Sequence, residues 1–222
     1  MPSIFWRNTM KVKLIYIYRV IMLILSLVGL YLDITKNGGF GMLLYYTVLS
    51  NLLVLCFNAY QLFLMSTTVH WEHHRVLRLK GAVTMAIMIT CVIYHFMLAP
   101  YATHFYRLEN FLLHYIIPLM FFFDTLVFDK RKQYRWFDPF SWTSIPLLYM
   151  AFALLNGLVL KWPIPGAKDS PFAYFFINVT KYGWLYVGKW VAIIFVAYVI
   201  SGYILYAIKM AGKSKESDKL VV

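Results

Sequence analysis

Long apolar runs alternate with short polar connections along the whole chain of 222 residues. Each run has roughly 18 to 25 residues, enough for a helix to cross a bilayer core of about 30 Å. The pattern predicts an all-α fold, a bundle of six transmembrane helices forming one membrane domain over residues 1–222, with a charged tail at 210–222. The predicted spans are Leu14–Leu32, Gly41–Met65, Gly81–Ala99, Glu109–Phe128, Ser141–Leu160 and Tyr186–Lys209.

Composition supports a membrane protein. The chain is 62% hydrophobic and only 14% charged, whereas a soluble domain has about 25% charged residues, and its mean hydropathy is +0.67. The two cysteines, Cys56 and Cys91, lie inside apolar runs, so we interpret them as small buried hydrophobic residues. We predict neither a metal site nor a cofactor.

The formal charge of +12 comes from basic residues in short connections, which is typical of topology signals rather than of nucleic-acid binding. We expect these loops to contact anionic lipid headgroups. Because loops rich in Lys and Arg stay in the cytosol, both termini are predicted to be cytosolic in a multi-pass protein of the cell membrane. One side of the predicted membrane receives fourteen of the 21 basic residues: Arg7, Lys11, Lys13, Arg75, Arg78, Lys80, Lys130, Arg131, Lys132, Arg135, Lys209, Lys213, Lys215 and Lys219.

The second run carries a polar stripe. Thr47, Asn51, Asn58 and Gln61 recur at helical spacing within Tyr45–Gln61, so they lie on one face of the predicted helix. A polar group that faces lipid loses its hydrogen bonds, at a cost of about 1–3 kcal/mol. The stripe must therefore face protein or water.

Three polar residues of different spans lie at one predicted depth. Thr47 is about six residues, roughly 9 Å, inside the outer end of the second span, and His95 and His114 lie at similar depths in the third and fourth. Pro118 follows His114 by four residues, so the carbonyl of His114 lacks a helical donor and the helix is expected to kink. This combination is typical of a cavity wall.

A threonine hydroxyl becomes a nucleophile when a base takes its proton, and histidine is the usual base. We therefore predict Thr47 and His114 as a catalytic pair acting on a membrane lipid ester. Asn51 is the predicted oxyanion donor. The other candidates for binding an oxyanion or positioning the substrate are Ser50, Asn110 and His95.

Three segments resemble one family. They are YYTVLSNLL with its T-x-x-S-N motif, HFMLAP, and ENFLLHYIIPLMFFFDTLVF with its N-x-x-x-H-x-x-x-P motif. Together they resemble the androgen-induced and androgen-dependent transmembrane threonine hydrolases, and more closely their bacterial six-helix relatives. The resemblance implies that Thr47 and His114 cleave fatty acid esters of hydroxy fatty acids. It implies no role for His95, because the third-span motif belongs only to the bacterial pattern.

Two other functions fit the same residues. The cavity could bind or transport a lipid, quinone or haem without chemistry, with His95 and His114 as axial haem ligands. Alternatively, His114 and Asp124 could relay protons in a small transporter, although Asp124 also has a structural interpretation as a partner of Lys130 or Arg131. The connection Lys161–Val187 is expected to lie in the membrane interface, with a short helix around Phe172–Thr180.

Overall fold

The computed structural model describes residues 2–67, 71–102, 105–167 and 170–212, and within these ranges it contains helices and no strand. Six helices are long and apolar enough to cross a membrane, which confirms the predicted fold class and defines a multi-pass membrane protein. The tail from 213 onward lies outside the described residues. Spans 1 to 6 are Met10–Asn37, Tyr46–Ser66, His74–Tyr101, Leu108–Val127, Asp138–Leu160 and Val179–Met210, and the first helix itself begins at Pro2.

Consecutive spans run in opposite directions, so the bundle has two distinct ends. At one end the last turn of span 1 meets the start of span 4 through Lys36 and Glu109, whose Nζ and Oε2 atoms are 3.4 Å apart. This end also holds Thr47, and we call it the Thr47 end. At the other, the Lys80 end, Lys80 Nζ lies 2.6 Å from Asp124 Oδ2.

Spans 1 to 4 share one apolar core, whereas spans 5 and 6 are attached to them by two separate clusters. A cluster containing Phe172, Tyr174 and Phe176 joins them at the Thr47 end. A second cluster, around Trp142 and Tyr198, joins them at the Lys80 end. The space between the two clusters is only partly filled, and it forms the pocket described below. The shared core of spans 1 to 4 contains Met22, Leu30, Val48, Val54, Phe57, Val83, Ile87, Leu112, Leu113, Ile117 and Phe121.

Three spans contain a π-helical turn near the Thr47 end: Tyr94–Leu98, Leu112–Ile116 and Asn156–Leu160. The turn in span 4 ends at Ile116, two residues before Pro118. Its wider spacing of hydrogen bonds accommodates the absence of an N–H on the proline. The expected disturbance at Pro118 is therefore a π-helical turn that contains His114. Such turns are rare and are often found at functional sites.

Span 2 begins later than its hydropathy predicts. Residues Gly39–Leu44 form a 3₁₀ helix, Tyr45 is extended, and the α-helix starts at Tyr46. The break accommodates Pro165, since a Cβ built on Gly38 or Gly41 would lie 2.3 or 2.7 Å from the proline ring. Thr47 is therefore in the first turn of the helix, where backbone N–H groups have no intrahelical acceptor, and not six residues inside it.

The segment Ser170–Asn178, which we call the re-entrant segment, folds into the bundle. Phe172 is 2% exposed and packs on Gly157 of span 5, where a Cβ would lie 2.2 Å from its ring. The segment is thus part of the bundle, and its predicted position in the membrane interface stays a prediction. The predicted helix over Phe172–Thr180 was wrong, because the segment contains only the 3₁₀ turn Phe175–Ile177 and the helix of span 6 begins at Val179. The Asn178 side chain accepts a hydrogen bond from the N–H of Lys181 and caps span 6.

Candidate functional site

The structure brings Thr47 and His114 together. Thr47 Oγ1 lies 3.3 Å from His114 Nε2, within hydrogen-bond reach although 67 residues separate them in the chain. Thr47 comes from the first turn of span 2 and His114 from the π-helical turn of span 4. The pair has the geometry of a nucleophile and its base.

The hydrogen-bond partners of His114 determine which of its ring nitrogens carries the proton. Nδ1 lies 3.0 Å from the backbone carbonyl of Asn110, so Nδ1 carries hydrogen and donates it to that oxygen. Nε2 is then unprotonated and accepts a hydrogen bond from the Thr47 hydroxyl. The Tyr94 ring stacks on the imidazole, with 3.7 Å between ring centroids and 24° between their planes, and it limits rotation of the base.

Asn51 does not present a free amide hydrogen to this site. Its Nδ2 donates to the carbonyl oxygens of Thr47, at 2.8 Å, and Leu113, at 3.0 Å. The expected oxyanion role is therefore inconsistent with this arrangement, because both amide hydrogens already have acceptors. Asn51 instead ties the backbone of Thr47 to the backbone of Leu113, which directly precedes His114.

The other three candidates occupy different places. The Ser50 hydroxyl faces span 3, where its Oγ lies 2.7 Å from Thr90 Oγ1. Asn110 donates from Nδ2 to the carbonyl of Phe105 and to the hydroxyl of Tyr94, so it holds the groups around His114. Neither Ser50 nor Asn110 reaches the Thr47 hydroxyl through these hydrogen bonds.

His95 lies outside the pair. It is exposed on the bundle surface, and its Nδ1 bonds the Tyr115 hydroxyl at 3.2 Å. Both ring nitrogens of His114 are occupied by protein groups, so neither is available to a haem iron. The arrangement therefore does not fit the bis-histidine haem alternative. Among the described residues no group of three His, Cys, Asp or Glu has metal-binding geometry.

An apolar pocket of about 830 Å³, including its open mouth, extends from Thr47 into the space between spans 2, 3, 5 and 6. Most of its wall is aliphatic or aromatic. Thr47 lines it, whereas His114 is behind the stacked ring of Tyr94, which also lines it. A shallower groove between spans 3 and 6 shares Ile89, Ile93, Ile194 and Tyr198 with the pocket, so the pocket continues toward the outer surface of the bundle.

Tyr174, which the sequence analysis did not identify, also lines the pocket. Its hydroxyl oxygen accepts a hydrogen bond from the backbone N–H of Thr47 at 3.4 Å. The re-entrant segment that carries it was expected in the membrane interface. The run of aromatic residues from Phe172 to Phe176 was the available sign that this segment is buried.

Asp124 belongs to a separate, fully buried cluster at the Lys80 end. Its carboxylate pairs with Arg19 at 3.2 Å and with Lys80 at 2.6 Å, and both cations also contact Asp129. The expected pairing with Lys130 or Arg131 was wrong, since Lys80 and Arg19 are the cations that contact the Asp124 carboxylate. Asp124 is ten residues, about 15 Å of helix, from His114, which does not favour a proton relay between them.

Comparisons with known proteins give no relative: no family model, no curated protein and no solved structure matches the chain.

Proposed function

We propose that this protein is an intramembrane hydrolase of fatty acyl esters, with Thr47 as nucleophile and His114 as base. One observation carries the proposal: Thr47, whose Oγ1 lies 3.3 Å from His114 Nε2, lines an apolar pocket. The T-x-x-S-N and N-x-x-x-H-x-x-x-P motifs support the same function through their resemblance to the transmembrane threonine hydrolases. We therefore also propose that the protein is related to these hydrolases and that its substrates are fatty acid esters of hydroxy fatty acids.

The reaction has two steps. The Thr47 hydroxyl attacks the ester carbonyl while its proton passes to His114 Nε2, and the alcohol leaves with that proton, so that an acyl ester of Thr47 remains. A water molecule then gives a proton to His114 and attacks the acyl group, which releases the fatty acid and restores both side chains. The Asn110 carbonyl stabilises the imidazolium in each step through Nδ1–H.

The apolar pocket suits an acyl chain. Its wall leaves few polar groups to bind a water-soluble substrate, and the groove between spans 3 and 6 gives a lipid tail a lateral path from the membrane. Basic residues concentrate toward the Lys80 end, so we place that end and both termini in the cytosol. The reaction would then occur in the outer leaflet of the cell membrane.

The test is labelling of purified protein with a fluorophosphonate probe, which reacts with activated hydroxyl nucleophiles. We expect wild type to be labelled and both Thr47→Ala and His114→Ala to lose the label. Thr90→Val is the matched control, because Thr90 lines the same pocket but its hydroxyl is bonded to Ser50. It should keep the label.

Two results would contradict the proposal. Labelling that persists in Thr47→Ala would remove this residue as the nucleophile. An unlabelled wild type that binds fatty acid would favour the lipid-binding alternative, for which the same apolar pocket suffices. Quinone or haem in the purified protein would show in its absorption spectrum, and a Soret band that survives purification would overturn the hydrolase assignment.

A further inference from the structure

Five tyrosines line the pocket, and their hydroxyl groups differ in what they bind. Three donate to backbone carbonyls: Tyr46 to Ala86, Tyr149 to Leu44 and Tyr198 to Trp142. Those protons are committed to holding helices together. The remaining two are Tyr94 and Tyr174.

Tyr94 and Tyr174 differ from these three because, among the described residues, neither hydroxyl donates to a backbone carbonyl. Tyr94 accepts from the Asn110 side chain, and Tyr174 accepts from the Thr47 backbone N–H. The Tyr174 hydroxyl also forms a hydrogen bond with the Thr47 side chain, so the phenol lies directly beside the hydroxyl that would attack the ester. The Tyr94 hydroxyl is hydrogen-bonded to Asn110, one helical turn before His114. The Tyr174 hydroxyl oxygen is instead hydrogen-bonded to the backbone N–H of Thr47, the proposed nucleophile.

On these grounds we propose that Tyr174 is a catalytic residue that donates its O–H to the oxyanion formed when Thr47 attacks an ester. The inference rests on the proposed hydrolase function and assigns the donor that Asn51 cannot supply. The Thr47 N–H polarises the phenol by bonding its oxygen, which strengthens the phenol as a donor. The site is also at the start of the 21-residue helix of span 2, whose N-terminal dipole favours negative charge.

Tyr174 is held firmly enough to serve this role. It is 9% exposed, its ring stacks on Phe176 with centroids 5.3 Å apart, and it meets the Tyr45 ring edge to face. Burial raises the pKa of its phenol, so the group stays protonated at neutral pH. A rigid, neutral donor in a dry site suits oxyanion stabilisation, which depends on preorganisation.

The experiment measures hydrolysis of p-nitrophenyl decanoate in detergent micelles by wild type, Tyr174→Phe, Tyr45→Phe and Thr47→Ala. We expect Tyr174→Phe to lower kcat by about 10² to 10³, as for other single oxyanion donors, with KM within about twofold of wild type. Binding of the fluorescent fatty acid cis-parinaric acid should be unchanged, because the substrate ground state does not need this donor.

Tyr45→Phe is the matched control. It also removes one phenolic hydroxyl, but Tyr45 donates to the Pro165 carbonyl and does not line the pocket. We expect its kcat to stay within about threefold of wild type. A loss of kcat in this control equal to that of Tyr174→Phe would mean that docking of the connection, and not the Tyr174 proton, controls the rate.

The outcomes separate the two proposals. If Thr47→Ala is inactive while Tyr174→Phe keeps its kcat, the oxyanion assignment is wrong and the hydrolase proposal stands. If Tyr174→Phe loses kcat and cis-parinaric acid binding together, its role is structural and the assignment is again wrong. If Thr47→Ala retains activity, or wild type shows none, the proposed function fails and the assignment fails with it.

Discussion

The ring of Tyr94 lies flat on the imidazole of His114, with 3.7 Å between their centroids. Tyr94 and His114 each lie in a π-helical turn, of span 3 and span 4 respectively. The contact therefore joins two irregular turns on neighbouring helices. It fixes the plane of the imidazole, while the Asn110 carbonyl fixes its tautomer.

Removing this ring should misplace the base. We expect Tyr94→Leu to lower kcat by about 10- to 100-fold, because a displacement of about 1 Å costs up to about 10²-fold. Tyr94→Phe keeps the stacked ring and loses only the hydroxyl that accepts from Asn110, so its kcat should fall much less. Steady-state hydrolysis of the decanoate ester measures both, and equal kcat values for the two variants would show that stacking has no role.

Replacing Asn51 should affect stability and activity together. Asn51→Ala removes two hydrogen bonds, to the carbonyls of Thr47 and Leu113. The Thr47 carbonyl still accepts from Ser50 Oγ, whereas the Leu113 carbonyl loses its side-chain donor, at about 1–3 kcal/mol. We expect a lower thermal unfolding temperature and a lower kcat, because spans 2 and 4 lose a tie beside the reacting pair. A large loss of kcat at an unchanged unfolding temperature would instead indicate a direct oxyanion role.

The buried ion cluster at the Lys80 end should be sensitive to the loss of one charge. Asp124→Asn leaves Arg19 and Lys80 with less compensation in a site that is 0% exposed, and we expect a loss of about 3–5 kcal/mol. Glu72→Gln is the control, since the Glu72 to Lys130 pair is partly exposed and should contribute about 0–1 kcal/mol. Thermal unfolding in detergent measures both changes.

A double variant tests the same ion cluster if Asp124→Asn does not fold. Lys80→Met with Asp124→Leu removes one cation and one anion, and replacing a buried pair by apolar residues is often neutral or stabilising. We expect it to be more stable than Asp124→Asn. A double variant less stable than the single one would show that the network contributes more than charge balance.

The six spans were predictable because membrane length and hydropathy are local properties of a sequence. The shared depth of Thr47 and His114 was predictable from counting residues along two parallel helices, spans 2 and 4. The direction in which His95 points was not, because depth depends only on the residue count, whereas direction depends on helical phase. The π-helical turn at Tyr94–Leu98 changes that phase.

The position of Tyr174 could not be predicted from the sequence, for a different reason. The connection that carries Tyr174 packs into the bundle because glycines far away in the sequence leave room for it. Phe172 packs on Gly157, and Pro165 packs on Gly38 and Gly41. No local pattern in Ser170–Asn178 specifies those partners. The partner of Asp124 was missed similarly, since Arg19 is 105 residues away in the chain.

The pocket itself should determine which acyl chains are hydrolysed. Ile194 lines both the pocket and the groove between spans 3 and 6, so Ile194→Trp should fill the space where a long chain would lie. We expect decanoate hydrolysis to fall about tenfold or more relative to butyrate hydrolysis, because a pocket discriminates chain length by excluded methylenes. Ile200→Trp is the matched control on the same helix, since Ile200 is 55% exposed and lines neither cavity; its decanoate to butyrate ratio of kcat/KM should equal that of wild type. An unchanged ratio in Ile194→Trp would mean that the acyl chain lies elsewhere.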